Sequence, residues 1–132
     1  MKKVLLVVVV VLLTVAFFAY RYYNKPHRNL DDETAIAIEA SSLFESFEKN
    51  ETEANARYLD QVLKVRGKVS SESINQEGKQ VVVLETHDPM FGVSCTLDSP
   101  SDKIEIGIVI ELKGFCKGYL SDVVLTGCKV VE

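Results

Sequence analysis

The sequence has no tryptophan, only two histidines, and no acidic residue before Asp31. Its three cysteines, Cys95, Cys116 and Cys128, form no C-x-x-C pair, and the histidines, His27 and His87, form no H-x-x-x-H. A zinc site or a dithiol redox centre therefore lacks its usual ligand spacing. No G-x-S-x-G surrounds a serine, and no glycine-rich loop opens a helix. The adjacent pair His87 and Asp88 in THDP reads as a solvated turn. From these absences no metal, no cofactor and no enzymatic activity are expected.

What is present divides the chain in two. Val4 to Tyr20 reads VLLVVVVVLLTVAFFAY, preceded by Lys2 and Lys3 and followed by RYYNKPHR. Unbroken apolarity between basic flanks marks a membrane-targeting segment. Its end, AFFAYRYY, carries bulky Phe and Tyr where a cleavage site needs small residues, which favours a retained signal-anchor over residues 1–23. Tyr20, Tyr22 and Tyr23 suit the membrane interface, where a ring is half buried and its hydroxyl wet. Lys2 and Lys3 are opposed by Arg21, Lys25 and Arg28, so the positive-inside rule is nearly silent. The export-signal look of the first residues places the anchor in a bacterial inner membrane as a single pass, with the C-terminal part periplasmic.

Residues 24–31, NKPHRNLD, read as a linker, and residues 32–132 as one small domain, since about 100 residues suffice for a single core. All 19 acidic residues lie in residues 30–132 with 10 of the 15 Lys and Arg, giving 10 − 19 = −9. Such a domain is a poor default partner for a phosphate backbone.

Ile36, Ala40, Leu43, Phe44 and Phe47 fall on one stripe, predicting an amphipathic helix from Asp32. NETE places Asn50 three residues before Glu53, a capping-box spacing for a second short helix carrying Ala54 and Tyr58 inward. From Leu59 the period becomes two: Leu63, Val65, Gly67 and Val69 alternate with Lys64, Arg66 and Lys68. QVVVLET, VSCTL, GIVIELKGFC and DVVLTGCKVV supply four more strands, the last two joined by KGYLS. Five strands in about 75 residues, with a break after the third and with Gly67, Gly114 and Gly127 in mid-strand, predict a mainly β fold, a five-stranded OB-type barrel preceded by the helix.

The run NETEANARYLDQVLKVRGKV, then GVSCTL, then IELKGFCKGYLSDVVLTGC resembles the tRNA-anticodon-binding-like OB-fold lipoprotein family over roughly residues 35–132. The resemblance implies an OB barrel preceded by a helix, in exported bacterial proteins whose function is mostly unassigned. The chain departs from the lipoprotein pattern, because no cysteine follows its apolar segment.

Alternation turns all three cysteines inward, Cys128 together with Val124 and Val130. They read either as small core residues or, in an oxidising compartment, as one disulfide plus a free thiol. A hairpin centred near Tyr119 and Leu120 would set Cys128 opposite about residue 111, too far from Cys116. Cys95 with Cys128 and Cys95 with Cys116 stay open, and a bulge at Gly114 or Gly127 would admit Cys116 with Cys128. Lys64, Arg66 and Lys68 form a basic row on the first strand that Glu85 and Glu111 are placed to balance. Phe115 and Tyr119, beside the expected loop between strands four and five, either contact a ligand or cap the barrel. The leading expectation is a membrane-anchored, exported, non-catalytic binding domain for a protein, peptide or envelope ligand. A nucleic-acid-binding module and a thiol redox protein are the alternatives.

Overall fold

The computed structural model describes residues 1–24 and 28–132. Lys25, Pro26 and His27, which belong to the expected linker, lie outside the described residues. Helix α1 spans Lys2–Tyr23 and is apolar all round, with no residue buried against the rest of the protein. It is long and apolar enough to cross a membrane.

The remainder runs β1 (Ile36–Glu39), α2 (Ala40–Lys49), α3 (Glu51–Tyr58), β2 (Val62–Ile74), β3 (Gln80–Leu84), β4 (Val93–Leu97), β5 (Val109–Leu120) and β6 (Asp122–Val130). Strands β2, β3, β4, β6 and β5 are joined in that order, and β5 returns to β2, which closes a five-stranded barrel. Its only parallel pair is β4 with β6. The OB-type barrel expected from the alternating runs is the fold.

Strand β2 is long enough to serve two neighbours on one edge. Its second half, from Val69, pairs with β3, which leaves Leu63 to Arg66 open on that side. Strand β1 pairs there in parallel, Ile36 with Leu63 through Glu39 with Arg66. This corrects the helix expected from Asp32: residues 36–39 are extended, and the helix begins at Ala40. Ile36 falls on the helical stripe, but Ile36 and Ile38 together satisfy only a period of two, and β-branched residues beside an open edge favour the strand. Ile36 is consequently exposed.

Helix α2 buries Ala40, Leu43, Phe44 and Phe47 over one end of the barrel. In α3 the Asn50 side chain accepts from the Glu53 amide at 3.2 Å, so the predicted cap is formed, and Ala54 and Tyr58 point inward. The core inside the barrel includes Leu63, Val65, Val82, Leu84, Val93, Leu112 and Leu125, with all three cysteines among them.

The final hairpin differs from the expectation. Strand β5 continues through the KGYL segment and turns at Ser121, where φ is 93°, so Leu120 faces Asp122. Register shifts occur between Lys113 and Phe115 and between Cys116 and Gly118. Gly118 and Gly127 have φ of 115° and 61°, a backbone open to glycine but strained for other residues. These bulges invert the alternation. Val123 and Leu125 point inward in place of Val124, yet Cys128 still faces the core. Cys128 lies across from Gly114, where its thiol fills the space a side chain would need, and not across from residue 111.

Candidate functional site

Lys64, Arg66 and Lys68 project from the outer face of β2 because Leu63, Val65 and Val69 occupy its inner face. Each meets an acid: Lys64 with Glu111 at 3.7 Å, Arg66 with Glu39 at 3.9 Å and Lys68 with Glu85 at 3.1 Å. Exposed pairs of this kind contribute at most about 1 kcal/mol each. Their effect here is on charge, since the basic row becomes a ladder of alternating sign.

Two clefts share that ladder. One, of about 430 Å³, is lined by Glu39, Ser41, Arg66, Lys68, Glu85 and Thr86, with Gly67 at its floor. The other, of about 260 Å³, lies between Ile38, Glu39, Lys64, Arg66 and Glu111. The Arg66 to Glu39 pair divides them. Strand β1 supplies Glu39, a contributor that the helical reading of residues 32–47 concealed.

A third concavity, of about 500 Å³, was not anticipated. It is formed by Ser70, Ser71, Val83 and the segment from Leu84 to Phe91, with Asp122 at its rim. The loop is organised by Asp88, whose carboxylate accepts from the amides of Met90 and Phe91 at 2.7 and 2.9 Å. His87 reaches Glu48 at 3.0 Å and sets its ring against Phe44 at 5.5 Å. His87 and Asp88 are thus committed to separate packing and turn roles. The DP dipeptide signalled a turn, but nothing in it announced a concavity.

Phe115 and Tyr119 do not converge. The shift between Cys116 and Gly118 turns Tyr119 toward the barrel end, where it stacks on Phe47 at 5.9 Å and meets Phe44 edge-on at 5.8 Å. Phe115 points outward and is covered by the Arg28 guanidinium, 5.0 Å from the ring centroid. Tyr119 therefore takes the capping role, and Phe115 the underside of a polar strap. Along that strap Arg28 donates to the Asp60 carbonyl at 2.8 Å and to both Glu33 carboxylate oxygens, and Leu30 is buried. The Arg28 hydrogen bonds hold the Glu33 carboxyl below the usual carboxylate range. Lys113 reaches the Glu33 carbonyl at 2.9 Å and Lys129 the Asp31 carboxylate at 3.0 Å.

All three thiols are free and buried. A side-chain hydrogen bond with Cys128, followed by burial, drives the Cys95 thiol well above the ordinary cysteine range, and burial raises Cys116 as well. A nucleophilic thiol needs the opposite shift and an open path to solvent. Among the described residues, no three His, Cys, Asp or Glu side chains converge as a metal site would require.

The sequence matches the tRNA_anti-like family over residues 1–130. Among solved structures, the fold is similar to a protein from Klebsiella pneumoniae described as a "putative nucleic acid-binding lipoprotein". The TM-score is 0.52 and the identity 19%, over 73% of this chain and 92% of that one. Nothing among curated proteins matches the chain.

Proposed function

The chain belongs to the tRNA_anti-like family, and we propose that it is a non-catalytic binding module, held to a membrane by α1 with its barrel on the exported side. Its ligand is a protein, peptide or envelope component that carries both signs of charge. The observation behind this reading is the ladder Lys64 to Glu111, Arg66 to Glu39 and Lys68 to Glu85 beside two open clefts. A polyanion gains little from cations already paired with acids, whereas an extended polypeptide can exchange partners with both. The acidic balance of residues 30–132 acts in the same direction.

The second reading, nucleic-acid binding, draws on the description of the Klebsiella neighbour. Affinity measured against salt separates the two, because phosphate contacts release counterions and give a steep slope. Full-length protein in nanodiscs is titrated with a mixed-charge peptide and with a single-stranded oligonucleotide. A peptide affinity that falls in Arg66→Glu, with no saturable oligonucleotide binding, is the expected result. Oligonucleotide binding with a steep salt slope would replace this reading with the second.

A further inference from the structure

Four of the barrel's exposed large apolar residues, Leu59, Met90, Phe91 and Leu120, belong to segments at one end. Strands β2, β4 and β6 all begin at this end, and β3 and β5 finish there, which brings together residues 59–61, 85–92 and the Ser121 turn. The segments are bonded to one another. Gly92 donates to the Asp122 carboxylate at 2.7 Å, Val123 donates to the Gly92 carbonyl at 3.0 Å, and Asp60 donates to the Cys116 carbonyl at 2.8 Å. Phe44 of α2 bridges His87 on one loop and Tyr119 beside the other. Met90 is 81% and Leu120 84% exposed, although loop tips are ordinarily polar.

The same end receives the chain from α1. Arg28 is fixed to the Asp60 carbonyl, next to Leu59, and over Phe115. Helix α1 is capped at Asn24. Four residue steps separate the two points, a reach of at most about 14 Å when fully extended. With α1 in a bilayer and Tyr20, Tyr22 and Tyr23 at its interface, that reach keeps Arg28, and the barrel end that bears it, within about 14 Å of the end of α1. The acidic groups of the two loops are already engaged, Asp88 with the amides of Met90 and Phe91 and Asp122 with Gly92. Arg28 and Lys117 lie on the same side, with Lys117 paired to Asp60 at 3.1 Å.

We propose that this end of the barrel is a membrane-contact surface: Met90, Phe91 and Leu120 enter the headgroup and acyl boundary of the bilayer that α1 crosses. The partner is lipid, and the contact holds the barrel, with the clefts around Arg66, in one orientation to the membrane. The inference rests on the reading of α1 as an anchor.

The chain has no tryptophan, so a single introduced indole reports its own position. Full-length Leu120→Trp, Met90→Trp, Ile106→Trp and Leu12→Trp are reconstituted into vesicles of phosphatidylcholine and phosphatidylglycerol, with or without brominated acyl chains. Ile106 is 68% exposed in the segment between β4 and β5, at the opposite end of the barrel. The expected result is blue-shifted emission that brominated lipid quenches at positions 12, 90 and 120, and unquenched emission at 106. Quenching at 12 without quenching at 90 and 120, or equal quenching at 90, 106 and 120, overturns the contact surface while leaving the anchor intact. No quenching at 12 overturns the anchor itself and the inference with it.

Discussion

Gly67 on β2 and Ala40 at the first turn of α2 approach so closely that a Cβ on the glycine would stand 2.9 Å from that of the alanine and 3.1 Å from that of Leu84. The glycine thus seats the helix on the barrel. A bend alone, the reason its mid-strand position suggests, is not its main role, since the β2 register shift lies beyond it, between Val69 and Ser71. Replacing Gly67 by Val forces α2 or Leu84 outward and is expected to destabilise the fold by about 1–3 kcal/mol, the usual range for overpacking. Urea unfolding of the variant measures this, and an unchanged midpoint would mean that α2 is free to move.

Phe115 and Tyr119 supply a paired test, because the bulge at Gly118 sends them to opposite sides of the wall. Tyr119→Ala removes a ring packed on Phe44 and Phe47 and is expected to cost about 2–4 kcal/mol, somewhat below a fully buried aromatic. Phe115→Ala exposes only the underside of Arg28 and is expected to cost less than about 1 kcal/mol. Equal losses in thermal unfolding would contradict this division of roles.

Much of the fold was legible because alternation is local. Leu63, Val65 and Val69 against Lys64, Arg66 and Lys68 declare two faces without help from the rest of the chain, as do Val93, Cys95 and Leu97. The acids balancing the basic row, Glu85 and Glu111, could be anticipated in the same way. What failed depended on distant partners. Ile36 fits the helical stripe that continues to Ala40 and Leu43 as well as a strand alternation with Ile38, and the vacancy on β2 decides between them. The bulges at Gly118 and Gly127 reverse the phase of the last two strands, so Tyr119 and Val124 exchange sides relative to simple counting. The clefts required Glu39 to stand beside Arg66, a consequence of that same β1 placement.

The strap from Arg28 to Glu33 is another long-range feature, since its anchors Lys113 and Lys129 come from the last two strands. Arg28→Ala removes the bonds to Glu33 and Asp60 and the cover over Phe115 in one change. Amide exchange over residues 28–33 is expected to accelerate while exchange within β2 to β6 stays as in the wild type. If the strap amides keep their protection, Lys113 and Lys129 alone must hold it. The same loosening would weaken the proposed membrane contact by letting the barrel swing.

The buried thiols make stability depend on pH on the alkaline side. Cys95 and Cys116 titrate above the ordinary thiol range in the folded state, Cys95 most strongly through its hydrogen bond with Cys128. Above about pH 8.5 an unfolded chain begins to release these protons while the folded one retains them. The folded state then binds more protons than the unfolded, and stability falls as pH rises. Below that value the contribution is present in full, and it is lost progressively toward the raised folded-state values. Urea midpoints of the reduced protein between pH 7 and 10 are expected to decline over the upper part of the range, and Cys95→Ala should flatten the decline although the truncation itself lowers the starting stability. Alkylation provides the kinetic counterpart. At neutral pH the native thiols should react far more slowly than those of the urea-unfolded chain, and a fast-reacting native cysteine would reopen the thiol redox alternative.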